Sequence, residues 1–163
     1  MLLIALVLVG AIVAPMIYFP LLKKAKEKKL LDTLQAFAQE HGGKISEHDF
    51  WKSTSIGIDK DRHLLFFLRK KEDREQKLAI DLSGVKHCKI VNTNKGVNTS
   101  YGNERVVEKL ELSLAHNEPG KADTILEFYN VDHDSLTLTW ELQLIEKWLK
   151  IINTNLVAVP VGK

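Results

Sequence analysis

The chain has 163 residues and a formal net charge of +2, a length that suits one domain with a single hydrophobic core. Its one cysteine, Cys88, excludes an intramolecular disulfide and a thiolate zinc site. Five lysines and one glutamate between Lys23 and Lys29 carry +4; the remaining 18 basic and 20 acidic residues net to −2, without the clustered cations a nucleic-acid binder needs.

No residue from Leu2 to Leu22 is charged, and a helix of that length covers roughly 30 Å, the thickness of a bilayer's hydrocarbon core. The expectation is a transmembrane helix over residues 1–22, kinked at Pro15, with Tyr18 beside Pro20 near the headgroups. A secretory leader would carry its basic residues before the apolar run and small residues at a cleavage site after it; here the order is reversed. The positive-inside rule then predicts a single-pass protein of a bacterial inner membrane, N-terminus outside and C-terminal domain cytoplasmic. Gly10 and Ala14 form a small-xxx-small pair suited to helix pairing.

Lys23, Lys24, Lys26, Lys28 and Lys29 are the candidate contacts to anionic membrane lipid, an attraction worth about 1 kcal/mol per basic residue near the surface. Residues 23–43 read as a basic juxtamembrane amphipathic helix. Leu30, Leu31, Leu34, Phe37 and Ala38 recur at helical spacing over Lys26–His41, and Gly42-Gly43 ends the run.

From Lys44 the pattern shortens to strand-like runs. Seven strands are expected, at Lys44–Trp51, Thr54–Asp59, His63–Lys70, Lys77–Leu82, Lys86–Asn92, Val106–Ala115 and Thr124–Asn130. Turns are marked at 59–62, 71–76, 83–84 and 117–123, and residues 92–104, NTNKGVNTSYGNE, read as a long polar loop. Residues 136–153 alternate at first, but Leu138, Leu142, Ile145, Leu149 and Ile152 keep helical spacing throughout. The segment is expected as one helix capped by Asp134 or Ser135, with a tail over 154–163.

Seven short strands followed by one long apolar-faced helix resemble the pleckstrin-homology-like superfold over residues 44–153. The resemblance implies an α+β fold: a strongly bent seven-stranded sheet or barrel plugged by the C-terminal helix. It rests on element order. The basic pattern by which lipid-binding members hold inositol phosphates is absent, since Lys60 and Arg62 sit in a turn beside Asp59 and Asp61. SIGID (55–59) and ELQLIEKWLKIIN (141–153) also look like segments of small membrane-anchored bacterial proteins of unknown function.

Catalytic groups are sparse. His87 and Cys88 are adjacent, but neighbours on a strand point to opposite faces and cannot share a proton, and Cys88 is in phase with Ile90, as a core thiol would be. The six histidines form no metal-binding helical pair. Asp132, Asp134 and Ser135 fit a helix cap better than a metal site. Phosphate-binding and nucleophile-elbow glycine motifs are lacking. Trp51, Trp140, Trp148, Phe66, Phe67 and Phe128 read as core.

These readings predict a membrane-anchored, non-enzymatic binding or adaptor module with no cofactor and no metal. Besides anionic lipid, its partner would be a protein or peptide held at an open sheet edge, in the groove beside the C-terminal helix, or on loop 92–104. The alternative is a structural subunit that forms a homo-oligomer through its membrane helix.

Overall fold

The structure, a computed structural model, describes residues 22–71, 74–99, 102–134, 138 and 140–157. Helix α1 is described from residue 22 to its last residue, 40. Seven strands follow: β1 (Glu47–Trp51), β2 (Thr54–Asp59), β3 (Leu64–Lys71), β4 (Arg74–Asp81), β5 (Val85–Thr99), β6 (Gly102–His116) and β7 (Thr124–Asn130). Helix α2 (Glu141–Thr154) comes last. All described pairings are antiparallel between chain neighbours, in one sheet ordered β1-β2-β3-β4 and a second ordered β5-β6-β7.

Local chemistry sets the turns. Lys52 takes φ 49 in the tight β1–β2 link, and Trp51 pairs with Thr54 across it. Asp59 organises the β2–β3 turn: its carboxylate accepts the N–H groups of Asp61 and Arg62 at 3.0 Å and, from the α1–β1 linker, that of Lys44 at 2.7 Å. Burial alone would raise its carboxyl, but these three donors outweigh that and hold it below the ordinary value. A short 3-10 turn (Leu82–Gly84) carries the chain between the sheets, capped by Asp81, which accepts the N–H and hydroxyl of Ser83.

Alternation of apolar residues along the strands fills the space between the sheets. Ile56, Ile58, Leu65, Phe67 and Ile80 from the first sheet meet Cys88, Leu110, Leu112, Leu114, Leu126 and Phe128 from the second, and α2 adds Leu144, Ile145, Trp148 and Ile152. A register shift between Leu110 and Glu111 leaves Phe128 as the extra residue on β7. Trp51 stacks on that ring at 4.6 Å, and its Nε1–H donates to the Phe128 carbonyl at 3.0 Å.

The outer face of the first sheet carries α1. Leu34 and Ala38 are fully buried there with Phe66 and Leu68. Gly57 provides the notch: a Cβ on it would lie 2.9 Å from Leu34 Cδ2 and 3.0 Å from Ile45 Cδ1. Every residue of β2 is consequently buried.

Several expectations are corrected. The expected span, residues 1–22, lies outside the described residues except for Leu22, as does the Gly10/Ala14 pair. Among the described residues no helix is long and apolar enough to cross a membrane. The single-pass inner-membrane placement, with the N-terminus outside and a cytoplasmic domain, is corrected with it: no described helix supplies the span it requires. In helix α1, Leu34, Phe37 and Ala38 are spent on the first sheet. The single bent sheet or barrel is corrected too. The described strands form two sheets of four and three strands, with no ladder between β4 and β5 closing them into a barrel. Loop 92–104 is largely strand, since β5 and β6 continue as a two-stranded ribbon to the Thr99–Gly102 pair. The last helix begins at Glu141 rather than 136, and its N-cap, Trp140, makes no side-chain capping bond.

Candidate functional site

The start of α1 is cationic. Residues 22–29 are all exposed, and at about 100° per residue Lys23, Lys24, Lys26, Lys28 and Lys29 point to all sides of the helix. Leu30 and Leu31, half-buried, mark where the helix comes down onto the sheet at Phe50. An open groove runs on either flank of Phe50. The first, about 430 Å³, is lined by Lys23, Lys26, Glu27, Leu30, Trp51, Lys52 and Trp140. The second, about 470 Å³, is lined by Lys24, Glu27, Lys28, Leu31, His48 and Asp49. Four of the five candidate lysines are thereby brought to grooves; Lys29 is exposed on the helix, its carbonyl accepting the Thr33 hydroxyl at 2.8 Å.

The floor of the first groove rests on a buried ionic network that ties the two sheets together. Lys52 Nζ lies 2.8 Å from Glu141 Oε1, 3.6 Å from Asp134 Oδ1 and 5.3 Å from the centre of the Tyr129 ring. Behind it Arg69, 3% exposed, donates to the Glu127 carbonyl at 2.8 Å and to Asp134 Oδ2 at 3.0 Å, and pairs with Glu127 Oε1 at 3.1 Å. Asn130 donates from its backbone N–H to Asp134 Oδ2 at 2.8 Å and from Nδ2 to Glu127 Oε2 at 3.0 Å. Burial pushes the Tyr129 phenol up. Asp134 therefore serves this network, and the N-cap of α2 is Trp140 rather than the expected Asp134 or Ser135, the latter lying outside the described residues.

The second groove is bordered by a more exposed set of pairs. Asp49 Oδ2 accepts from Lys147 Nζ at 2.6 Å and from Trp148 Nε1 at 2.8 Å, joining β1 to α2. The hydrogen bond that it donates to Asp49 holds the Lys147 ammonium above its ordinary value. Glu47, bonded to Lys60 at 2.8 Å, is held below its own. The carboxylates of the EHD segment are thus engaged with cations, and among the described residues no group of three or more His, Cys, Asp or Glu could hold a metal.

Cys88 is buried and His87 exposed, and burial alone pushes the Cys88 thiol to about 12, far from a thiolate at neutral pH. The Cys88 backbone is engaged instead: its N–H donates to Asn153 Oδ1 and its carbonyl accepts from Asn153 Nδ2, both at 3.0 Å.

Two site residues escape a sequence reading. Trp140, expected in the core, is 41% exposed at the rim of the first groove, whereas Trp51 and Trp148 are buried. Arg69 was detectable: it falls in phase with Leu65 and Phe67 on the inner face of its strand, and a buried guanidinium needs carboxylate partners. Compared with known proteins, the chain matches no family model, no curated protein and no solved structure.

Proposed function

We propose that the protein is a non-enzymatic binding module that meets an anionic lipid surface with the start of α1. The observation that carries this reading is the exposure of Lys23, Lys24, Lys26, Lys28 and Lys29 on every side of the helix, four of them lining the grooves beside Phe50. Each lysine brought near anionic headgroups contributes about 1 kcal/mol, and the attraction fades within a Debye length. The buried thiol of Cys88 and the ion-paired carboxylates of Glu47 and Asp49 support a binding role over catalysis. In this reading the β5–β6 ribbon, remote in sequence from α1, is the element left for a protein or peptide partner.

Co-sedimentation of the full chain with phosphatidylglycerol or phosphatidylcholine vesicles tests it. The expected result is stronger binding to phosphatidylglycerol, weakened by salt and removed when the five lysines become glutamine. Equal binding to both vesicles, or an anionic preference untouched by the substitutions, would sink the proposal.

A further inference from the structure

We infer that Trp140 and the groove formed with Lys23, Lys26 and Lys52 seat the headgroup of an anionic phospholipid, with the Trp140 indole at interfacial depth; this rests on the lipid-surface reading above. The groove is the point where the first described turns of α1 meet the start of α2. Trp140 precedes α2 and Lys23 lies one residue into the described part of α1, yet both line one groove with Phe50 and Leu30. Leu22 is 48% exposed at the same end of α1. Exposed indole and leucine among lysines is the mixture that suits a bilayer interface, where the ring's apolar body and polar edge are both accommodated and lysine stems lie along apolar surface with their ammonium groups in water.

The lysine distribution selects a bilayer over a polypeptide. A peptide lying in one groove would engage Lys23 and Lys26 and leave Lys24, Lys28 and Lys29 unused. A charged layer around residues 23–29 would meet lysines on every side of the helix. The chemistry inside the groove agrees. Lys23 and Lys26 sit on flexible stems at the rim, the former only 3.9 Å from the exposed Glu27 in a loose pair. Lys52 is fixed at the floor by Glu141 and Asp134. With Glu27 the sole lining carboxylate, the lining carries more positive than negative charge, although Glu141 behind Lys52 offsets part of it. A phosphate diester between Lys23 and Lys26 would leave its glycerol and acyl portions beside Trp140 and Leu22.

Tryptophan fluorescence of the full chain tests this directly, because Trp51 and Trp148 are buried and Trp140 is not. Phosphatidylglycerol vesicles should move the emission to shorter wavelength, and brominated acyl chains should quench it. Trp140→Phe should abolish both signals and weaken sedimentation with the vesicles, which assigns the signals to that indole. Lys23→Gln with Lys26→Gln, both exposed and so safe for folding, should weaken the titration by about thirtyfold. Binding that still depends on the α1 lysines but gives no Trp140 signal would overturn this inference and leave the lipid-surface reading standing; loss of any preference for phosphatidylglycerol would remove both. The same emission shift from inorganic phosphate without vesicles, or from polyglutamate in preference to vesicles, would also overturn it, marking a free-anion or an acidic-polypeptide site.

Discussion

Helix α1 divides into two halves that obey different rules. From Leu34 onward it belongs to the domain: Leu34 drops over Gly57, Ala38 packs beside Phe66, and the His41 ring meets Phe37 at 4.7 Å. Before Leu30 it touches no core, and its side chains are exposed on all sides. The same helical geometry thus serves burial in one half and presentation of charge in the other, and the boundary falls where half-buried Leu30 and Leu31 flank Phe50. A rigid base holding an exposed cationic stretch is what a binding element requires, since the docked half fixes the direction in which the lysines are offered.

Leu34→Ala should have the largest effect, because it empties the notch over Gly57. A loss of about 2–5 kcal/mol is expected in urea denaturation, together with easier proteolysis in α1; a loss within error would mean the docked half contributes nothing. Gly57→Val approaches the same contact from below and should cost about 1–3 kcal/mol by crowding Leu34 and Ile45. Combined with Leu34→Ala it should cost less than the two separate losses together, since each change relieves the other.

A smaller and pH-dependent effect is expected at Asp59, which ties the linker after α1 to the β2–β3 turn. Its folded carboxyl lies below the ordinary value of 3.8, so its contribution is complete above that value and is lost as pH falls through the lower folded one. Asp59→Asn should be less stable than the parent near neutrality by on the order of 1 kcal/mol, with the gap closing in acid below about pH 4. A gap that is constant across an acid titration would assign the effect to shape rather than charge. Smallest of all, glutamine at Lys23, Lys24, Lys26, Lys28 and Lys29 should change thermal stability by less than about 0.5 kcal/mol in total. A clear destabilisation would place the lysines in the fold and not in a binding role.

Parts of this architecture were legible because burial follows the strand period. β2 and β7 run over the same residues the alternation indicates, Thr54–Asp59 and Thr124–Asn130. The β5–β6 ribbon was not legible. Asn, Gly and Thr between 92 and 104 have the composition of a loop, and what makes them strand is cross-strand pairing, such as Lys95 with Val106 and Gly96 with Arg105, which no single stretch reveals. The start of α2 was misplaced for the opposite reason. The helical spacing continues backward through Leu138, but Leu138 packs against the core ahead of the first helical residue, Glu141. The lysines of the candidate site were plain from their charge, whereas the groove beside them depends on Lys52 and Trp140, brought there by tertiary contacts alone.

The bond pair between Asn153 and the Cys88 backbone has a consequence for how the molecule behaves in company. A strand on the border of a sheet offers its amide groups to any extended chain that drifts past. At Cys88 the terminal helix supplies a carboxamide whose oxygen and nitrogen imitate a neighbouring peptide unit, so that rung is already occupied. The last helix therefore covers one rung of the second sheet's border as well as filling the gap between the two, and loosening its end would leave that rung open to an extended chain.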